Sequence, residues 1–139
     1  NWTIPASLNR GSAYKIKIVS ASDAAINDIS KATFTIKAAP GTITMTQPNS
    51  GQAWKRGKSY QITWTYTGNL GASVDIQLYK GGVYERTIKA GVSIGTAGSG
   101  SYKWTIPSNI QAGKNYKVKI VPVSYPGLSD LSNTNFSIN

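Results

Sequence analysis

Tyr116-Lys117-Val118-Lys119-Ile120-Val121 alternates apolar and cationic side chains, and nearly the same string stands at Tyr14-Lys15-Ile16-Lys17-Ile18-Val19. A period of two places Tyr116, Val118 and Ile120 on one face of a strand and the lysines on the other, so one face belongs to a core and one to water. Working outward from this string, residues 103–139 lie over residues 1–37 at an offset of 102 with no gap. Trp104-Thr105-Ile106-Pro107 falls on Trp2-Thr3-Ile4-Pro5, and the match runs on through Asp28/Asp130, Ser30/Ser132, Phe34/Phe136 and Ile36/Ile138. Residues 41–102 have no upstream counterpart, so the chain reads as the back part of one unit followed by one whole unit.

A unit of about a hundred residues is the ordinary size of an independently folding domain, whereas a segment of about forty residues cannot bury enough surface to stand alone. The expected organisation is therefore an incomplete sandwich over residues 1–37, a linker over 38–41 that is short and proline-bearing (Ala38-Ala39-Pro40-Gly41), and a complete β-sandwich over 42–139. Identical copies could not complete residues 1–37 by exchange, because each carries two back halves and one front half. The expectation is an excerpt of a longer tandem array, or a chain whose preceding residues were cleaved. Proteins built of such units in series are most often filaments, stalks or coats.

Helical periodicity is absent. Short alternating runs are punctuated by Gly, Pro and Asn, the pattern of an all-β sandwich. The runs are Thr42 to Gln47, Tyr60 to Thr65 with Tyr60, Ile62 and Trp64 inward, and Val74 to Tyr79 with Val74, Ile76 and Leu78 inward. Gly81-Gly82 turns the chain into Val83 to Ile88 as a two-residue glycine hairpin. A Gly- and Ser-rich loop is expected from Gly91 to Gly100, then strands Tyr102 to Ile106 (stopped by Pro107), Tyr116 to Val121 and Asn135 to Ile138, with Trp2 to Pro5 as the double of the Trp104 strand.

Fifteen basic residues against five acidic ones give a net charge of +10, spread as +3 over residues 1–37 and +7 over 41–139 without a polybasic run. Dispersed lysine favours anionic neighbours such as an acidic polysaccharide or a cell-wall polymer, and equally serves to keep exposed strands apart; nucleic acid is not an expected partner. No stretch approaches the roughly 20 apolar residues of a spanning helix, and the chain has no cysteine.

Ile43, Pro48-Asn49-Ser50-Gly51, Trp54, Gly57, Ile62-Thr63-Trp64, Leu78-Tyr79-Lys80-Gly81-Gly82, Trp104-Thr105-Ile106-Pro107, Ser129-Asp130-Leu131-Ser132 and Phe136-Ser137-Ile138 together look like a known module. It resembles the Ser-Thr-rich, glycosylphosphatidylinositol-anchored cell-surface family, whose fungal members include the yeast cell-wall β-glucan assembly proteins. The resemblance covers nearly all of residues 41–139 and, residue for residue, 1–37. It implies an all-β, immunoglobulin- or fibronectin III-like sandwich, here in tandem repeats with one partial and one complete, and an extracellular, cell-surface structural role, and it brings no catalytic residue with it.

The chemistry available is sparse. There is no His, no Cys, and the acids are Asp23, Asp28, Asp75, Glu85 and Asp130, so no catalytic residue, metal site or cofactor is expected. In the complete unit Asp75 and Glu85 are the one sequence-near pair that glycosidase chemistry could use, but the plainer reading is that both are outward residues of adjoining strands that balance nearby lysines. Asp28 and Asp130 read as side chains that bond backbone N–H groups in a turn. Trp2, Trp64 and Trp104 are in phase with the core, while Trp54, beside Lys55 and Arg56, either caps the end of the sandwich or offers a ring and two cations to an anionic glycan. Tyr79, Tyr84 and Tyr125 are candidate exposed rings for ligand or for unit-to-unit assembly contacts. Two glycosylation sequons begin at Asn1 and Asn135. The function expected is self-association into a homopolymer or tandem array at the cell surface; the rival is a carbohydrate- or cell-wall-binding module of a larger secreted protein.

Overall fold

The computed structural model describes residues 8–37 and 41–139. Strand Trp2 to Pro5, the sequon at Asn1 and most of the linker lie outside these residues. The chain divides into two compact units, Asn1–Ala39 and Pro40–Asn139.

The first unit contains β1 (Gly11–Tyr14), β2 (Lys17–Val19), β3 (Asn27–Ile29) and β4 (Phe34–Ile36). They form two antiparallel ladders, β1 with β4 and β2 with β3. The second unit contains β5 (Ile43–Gln47), β6 (Ala53–Trp54), β7 (Ser59–Tyr66), β8 (Ser73–Lys80), β9 (Val83–Ser93), β10 (Ser99–Thr105), β11 (Gly113–Pro122), a 3-10 turn at Pro126–Leu128, β12 (Asp130–Leu131) and β13 (Phe136–Ile138). One sheet runs β10-β7-β5; the other runs β6-β13-β11-β8-β9, with β12 on β11 beyond the end of β13. All pairings are antiparallel except that of β6 with β13.

The core of the second unit follows from period-two alternation. Met45, Ile62 and Trp64 from the first sheet and Val74, Ile76, Leu78, Tyr116, Val118, Ile120, Phe136 and Ile138 from the second are each at most 2% exposed. Each such aliphatic side chain contributes about 1.5–3 kcal/mol by leaving water. Lys80 pairs with Val83 across Gly81 and Gly82, whose φ values of 59° and 82° are those of a two-residue turn that a Cβ would strain.

Two sequence expectations change here. Strand β9 does not stop near Ile88 but continues to Ser93, because register shifts along β8–β9 absorb extra residues and Asp75 Oδ1 accepts the Gly91 N–H at 2.9 Å. The Gly/Ser-rich loop therefore shrinks to residues 94–98. Trp54 is not in a loop: it forms β6, whose parallel pairing to β13 closes that edge of the sheet.

The internal match extends to backbone register. β1 pairs with β4 as Gly11↔Ile36 and Tyr14↔Phe34; β11 pairs with β13 as Gly113↔Ile138 and Tyr116↔Phe136, each position 102 further on. Likewise Lys17↔Ile29 and Ile18↔Asp28 in β2–β3 correspond to Lys119↔Leu131 and Ile120↔Asp130 in β11–β12.

Candidate functional site

Of the two readings of Trp54, the structure has the cap of the sandwich end and not the ligand platform. Its side chain is 2% exposed, with one face stacked on Tyr60 at 4.8 Å and 5° between planes, and Trp104 and Phe136 at 6.2 and 4.8 Å around it. No face is left for a sugar ring to stack on, so the indole plugs the end of the sandwich. Tyr60 is held by its hydroxyl, which accepts the Lys55 N–H at 2.9 Å. Lys55 and Arg56 themselves are exposed beside this plug.

The other aromatic candidates sit on the second sheet and its connections. Tyr79 on β8 lies directly opposite Tyr84 on β9, rings 5.9 Å apart and nearly perpendicular at 80°. The Lys119 ammonium lies 5.9 Å from the Tyr79 ring centroid, within cation–π range. Alternation explains the cluster: Leu78 and Val118 point into the core, so Tyr79 and Lys119 must point out. Tyr84 is 49% exposed, and its hydroxyl is 3.1 Å from Thr87 Oγ1. Tyr125 is 44% exposed next to the 3-10 turn and joins no aromatic pair among the described residues. Asn135 is exposed while its neighbour Phe136 is buried, so the sequon's amide faces solvent.

The acids are dispersed. Asp75 caps the bulge at Gly91, and Glu85 sits 3.7 Å from Arg86. Register separates these two carboxylates: Glu85 lies in the segment facing Leu78 and Tyr79, about four residues along β8 from Asp75, or roughly 13 Å at the rise of a strand. Asp130 does bond a backbone N–H, but not within its own turn. It sits opposite inward Ile120, and its Oδ2 accepts the N–H of Met45 at 2.7 Å, a residue of the facing sheet 85 positions earlier in the chain. The bond satisfies a donor on a strand whose ladder is broken by a register shift between Met45 and Gln47. Asp130→Ala is expected to cost about 1.5–3 kcal/mol, because a charge-assisted bond is lost and the Met45 N–H is orphaned. Asp130→Asn, which keeps an acceptor, recovers part of that in urea titration.

Sequence reasoning missed the outer face of the first sheet. Thr44, Thr46, Ser59, Thr63, Thr65, Ser101 and Thr105 form hydroxyl rows there, joined at 2.7 Å between Thr46 and Thr63 and between Ser59 and Thr105. A shallow groove of about 530 Å³ opens among Thr63, Thr65, Thr96, Ser99 and Ser101. The signal was present as Ser or Thr at alternate positions of three strands, which in a single strand looks like ordinary wet surface.

Two packed sheets, antiparallel but for the β6–β13 edge, a core of alternating residues and an aromatic plug at one end define an immunoglobulin-like sandwich. Residues 47–137 match the model of the Kre9/KNH-like N-terminal Ig-like domain, and the chain belongs to that family. Among solved structures it is similar to the fibronectin(III)-like modules of Clostridium thermocellum CbhA, with 19% identity and a TM-score of 0.38, over 70% of this chain and 46% of that one. The chain thus spans less than half of that structure's length. No curated protein matches it.

Proposed function

We propose that this chain is a stretch of an extracellular, cell-surface structural protein in which immunoglobulin-like sandwiches follow one another in tandem and act by assembly rather than catalysis. The observation that carries the reading is the offset of 102 residues, which preserves side chains and strand register alike. Sequence drift retains a register only where the same packing problem recurs. Membership of the Kre9/KNH-like family supports the cell-surface placement. Two of the acids support a structural role, since Asp75 and Asp130 each accept a backbone N–H within the fold.

Mild proteolysis of the full-length protein on intact cells tests this. The expected product is a ladder of fragments stepping by one unit of 102 residues, from cleavage at successive junctions. A single fragment with no ladder, or no cleavage until the cells are broken, contradicts it.

The second reading, a module that holds a wall polysaccharide, is favoured by the Tyr79–Tyr84–Lys119 cluster, which presents rings and a cation on one exposed sheet face. Its test is retention on insoluble polysaccharide at low salt. Tyr84→Ala should lower retention about tenfold, the effect of losing about 1.4 kcal/mol, and unchanged retention removes this reading while leaving the tandem one intact.

A further inference from the structure

Three isoleucines of the first unit stand in water: Ile16 is 47% exposed, Ile18 72% and Ile26 66%. Their counterparts 102 positions on are Val118 and Ile120, both 0% exposed, and Leu128, which packs against the core. The local structure around the two sets is the same. Tyr14 and Phe34 rings lie 6.1 Å apart at 37°, Tyr116 and Phe136 rings 6.0 Å apart at 41°. Ser30 Oγ accepts the Ile16 N–H at 3.2 Å, and Ser132 Oγ accepts the Val118 N–H at 3.3 Å. Tyr14 donates its hydroxyl proton to the Asn9 carbonyl, as Tyr116 does to that of Gln111, both at 2.5 Å.

One further pair differs only in what it meets. Asp130 reaches across to the Met45 N–H of the facing sheet, whereas Asp28 is exposed. Val19 (46% exposed) and Ile29 (49%) are also in water, but their counterparts Val121 and Leu131 lie on the outer side of β11–β12 and are only half-buried, so they are not part of this face. What remains is an inner face of fixed shape, three aliphatic side chains and one carboxylate.

We infer that the Ile16–Ile18–Ile26 face, with Asp28 at its margin, is a docking surface for the front half of a sandwich, a polypeptide with the chemistry of residues 41–102. This rests on the tandem reading above and names the partner of that unit. The occupant follows from the second unit, where the equivalent face is covered by Met45, Ile62 and Trp64, all contributed by residues 41–102. A docked front half would also bring a Met45-type N–H to Asp28. A second copy of the chain makes a poor occupant, since releasing its own front half would expose Val118 and Ile120 in exchange.

The test is a fusion in which residues 41–102 are placed directly ahead of Asn1, restoring the spacing found at Tyr102-Lys103-Trp104. Amide exchange at residues 17–19 and 27–29 is then expected to slow by a hundredfold or more relative to the 139-residue chain, toward the rates of residues 119–120 and 130–131. Ile18→Lys in the fusion should abolish that protection while residues 42–139 stay protected. Unchanged exchange at 17–19 and 27–29, or an insoluble fusion, overturns the inference. So does dimerisation of the unfused chain that Ile18→Lys abolishes, which would make a second copy the occupant. Failure here would leave the proteolytic ladder unaffected, and absence of the ladder would leave this docking result standing.

Discussion

Trp64→Ala is expected to abolish cooperative folding of the second unit near physiological temperature. Trp64 is 1% exposed at the centre of β7, and its indole N–H donates to the Ile94 carbonyl at 2.9 Å. Truncation costs about 3–5 kcal/mol for the cavity, and orphaning a buried carbonyl adds about 1–3 kcal/mol. A domain of this size has about 5–15 kcal/mol to lose. Backbone and ring are already in close approach here: a Cβ on the cross-strand neighbour Gly100 would lie 2.5 Å from Trp64 Nε1 and 2.2 Å from the Ile94 carbonyl. Thermal melts by circular dichroism should show the midpoint falling by about 16 °C or more, taking about 4 °C per kcal/mol at the low end. Trp64→Phe, which keeps much of the volume and loses the N–H, should fall between. A midpoint within a few degrees of the parent for Trp64→Ala would mean that the core is not organised around this residue.

The second large effect is a contrast between two residues at matched positions 102 apart in the sequence. Ile120→Lys is expected to unfold the second unit, since it buries an ammonium with no partner at a position 0% exposed, a change in the class costing more than about 4–5 kcal/mol. Ile18→Lys, the same substitution 102 residues earlier, should change stability of the 139-residue chain by less than about 0.5 kcal/mol, because Ile18 is already 72% exposed. Chemical denaturation of the two variants side by side checks this. Equal effects, large or small, would break the distinction between a closed unit and an open one.

That contrast also marks how far the sequence could be read. Tyr116 to Val121 and Tyr60 to Thr65 were legible as strands because one face of each is core, so alternation was forced by burial, and the Gly81-Gly82 turn because two consecutive positive φ angles select glycine. The place of Trp54 was not legible. It lies between Ala53 and Lys55 with no alternation around it, and it is buried by Tyr60, Trp104 and Phe136, the last brought to it by the parallel pairing of β6 with β13. The role of Asp130 was half legible. Its bonding to a backbone N–H follows from residue type, but the partner is set by the stacking of two sheets, which no local pattern records. The extension of β9 past Ile88 depends on bulges and on Asp75 reaching Gly91, again a contact between strands. The hydroxyl rows of β5, β7 and β10 become a surface only once three strands are side by side.

The open face of the first unit sits between these cases. Its apolar residues were legible by comparison with the later copy, but their exposure was not, since alternation marks an inward face without recording what covers it. Burying Ile16, Ile18 and Ile26 would contribute about 1.5–3 kcal/mol each, on the scale of what a short pair of ladders lacks for independent stability.

The central claim is that these sandwiches work as links of a series at the cell surface, and electron cryo-microscopy of the full-length protein purified from its native surface measures it most directly. The account predicts extended particles of globular units in single file, each unit a two-sheet sandwich recurring every 102 residues of chain. Isolated globules holding one sandwich apiece would contradict it.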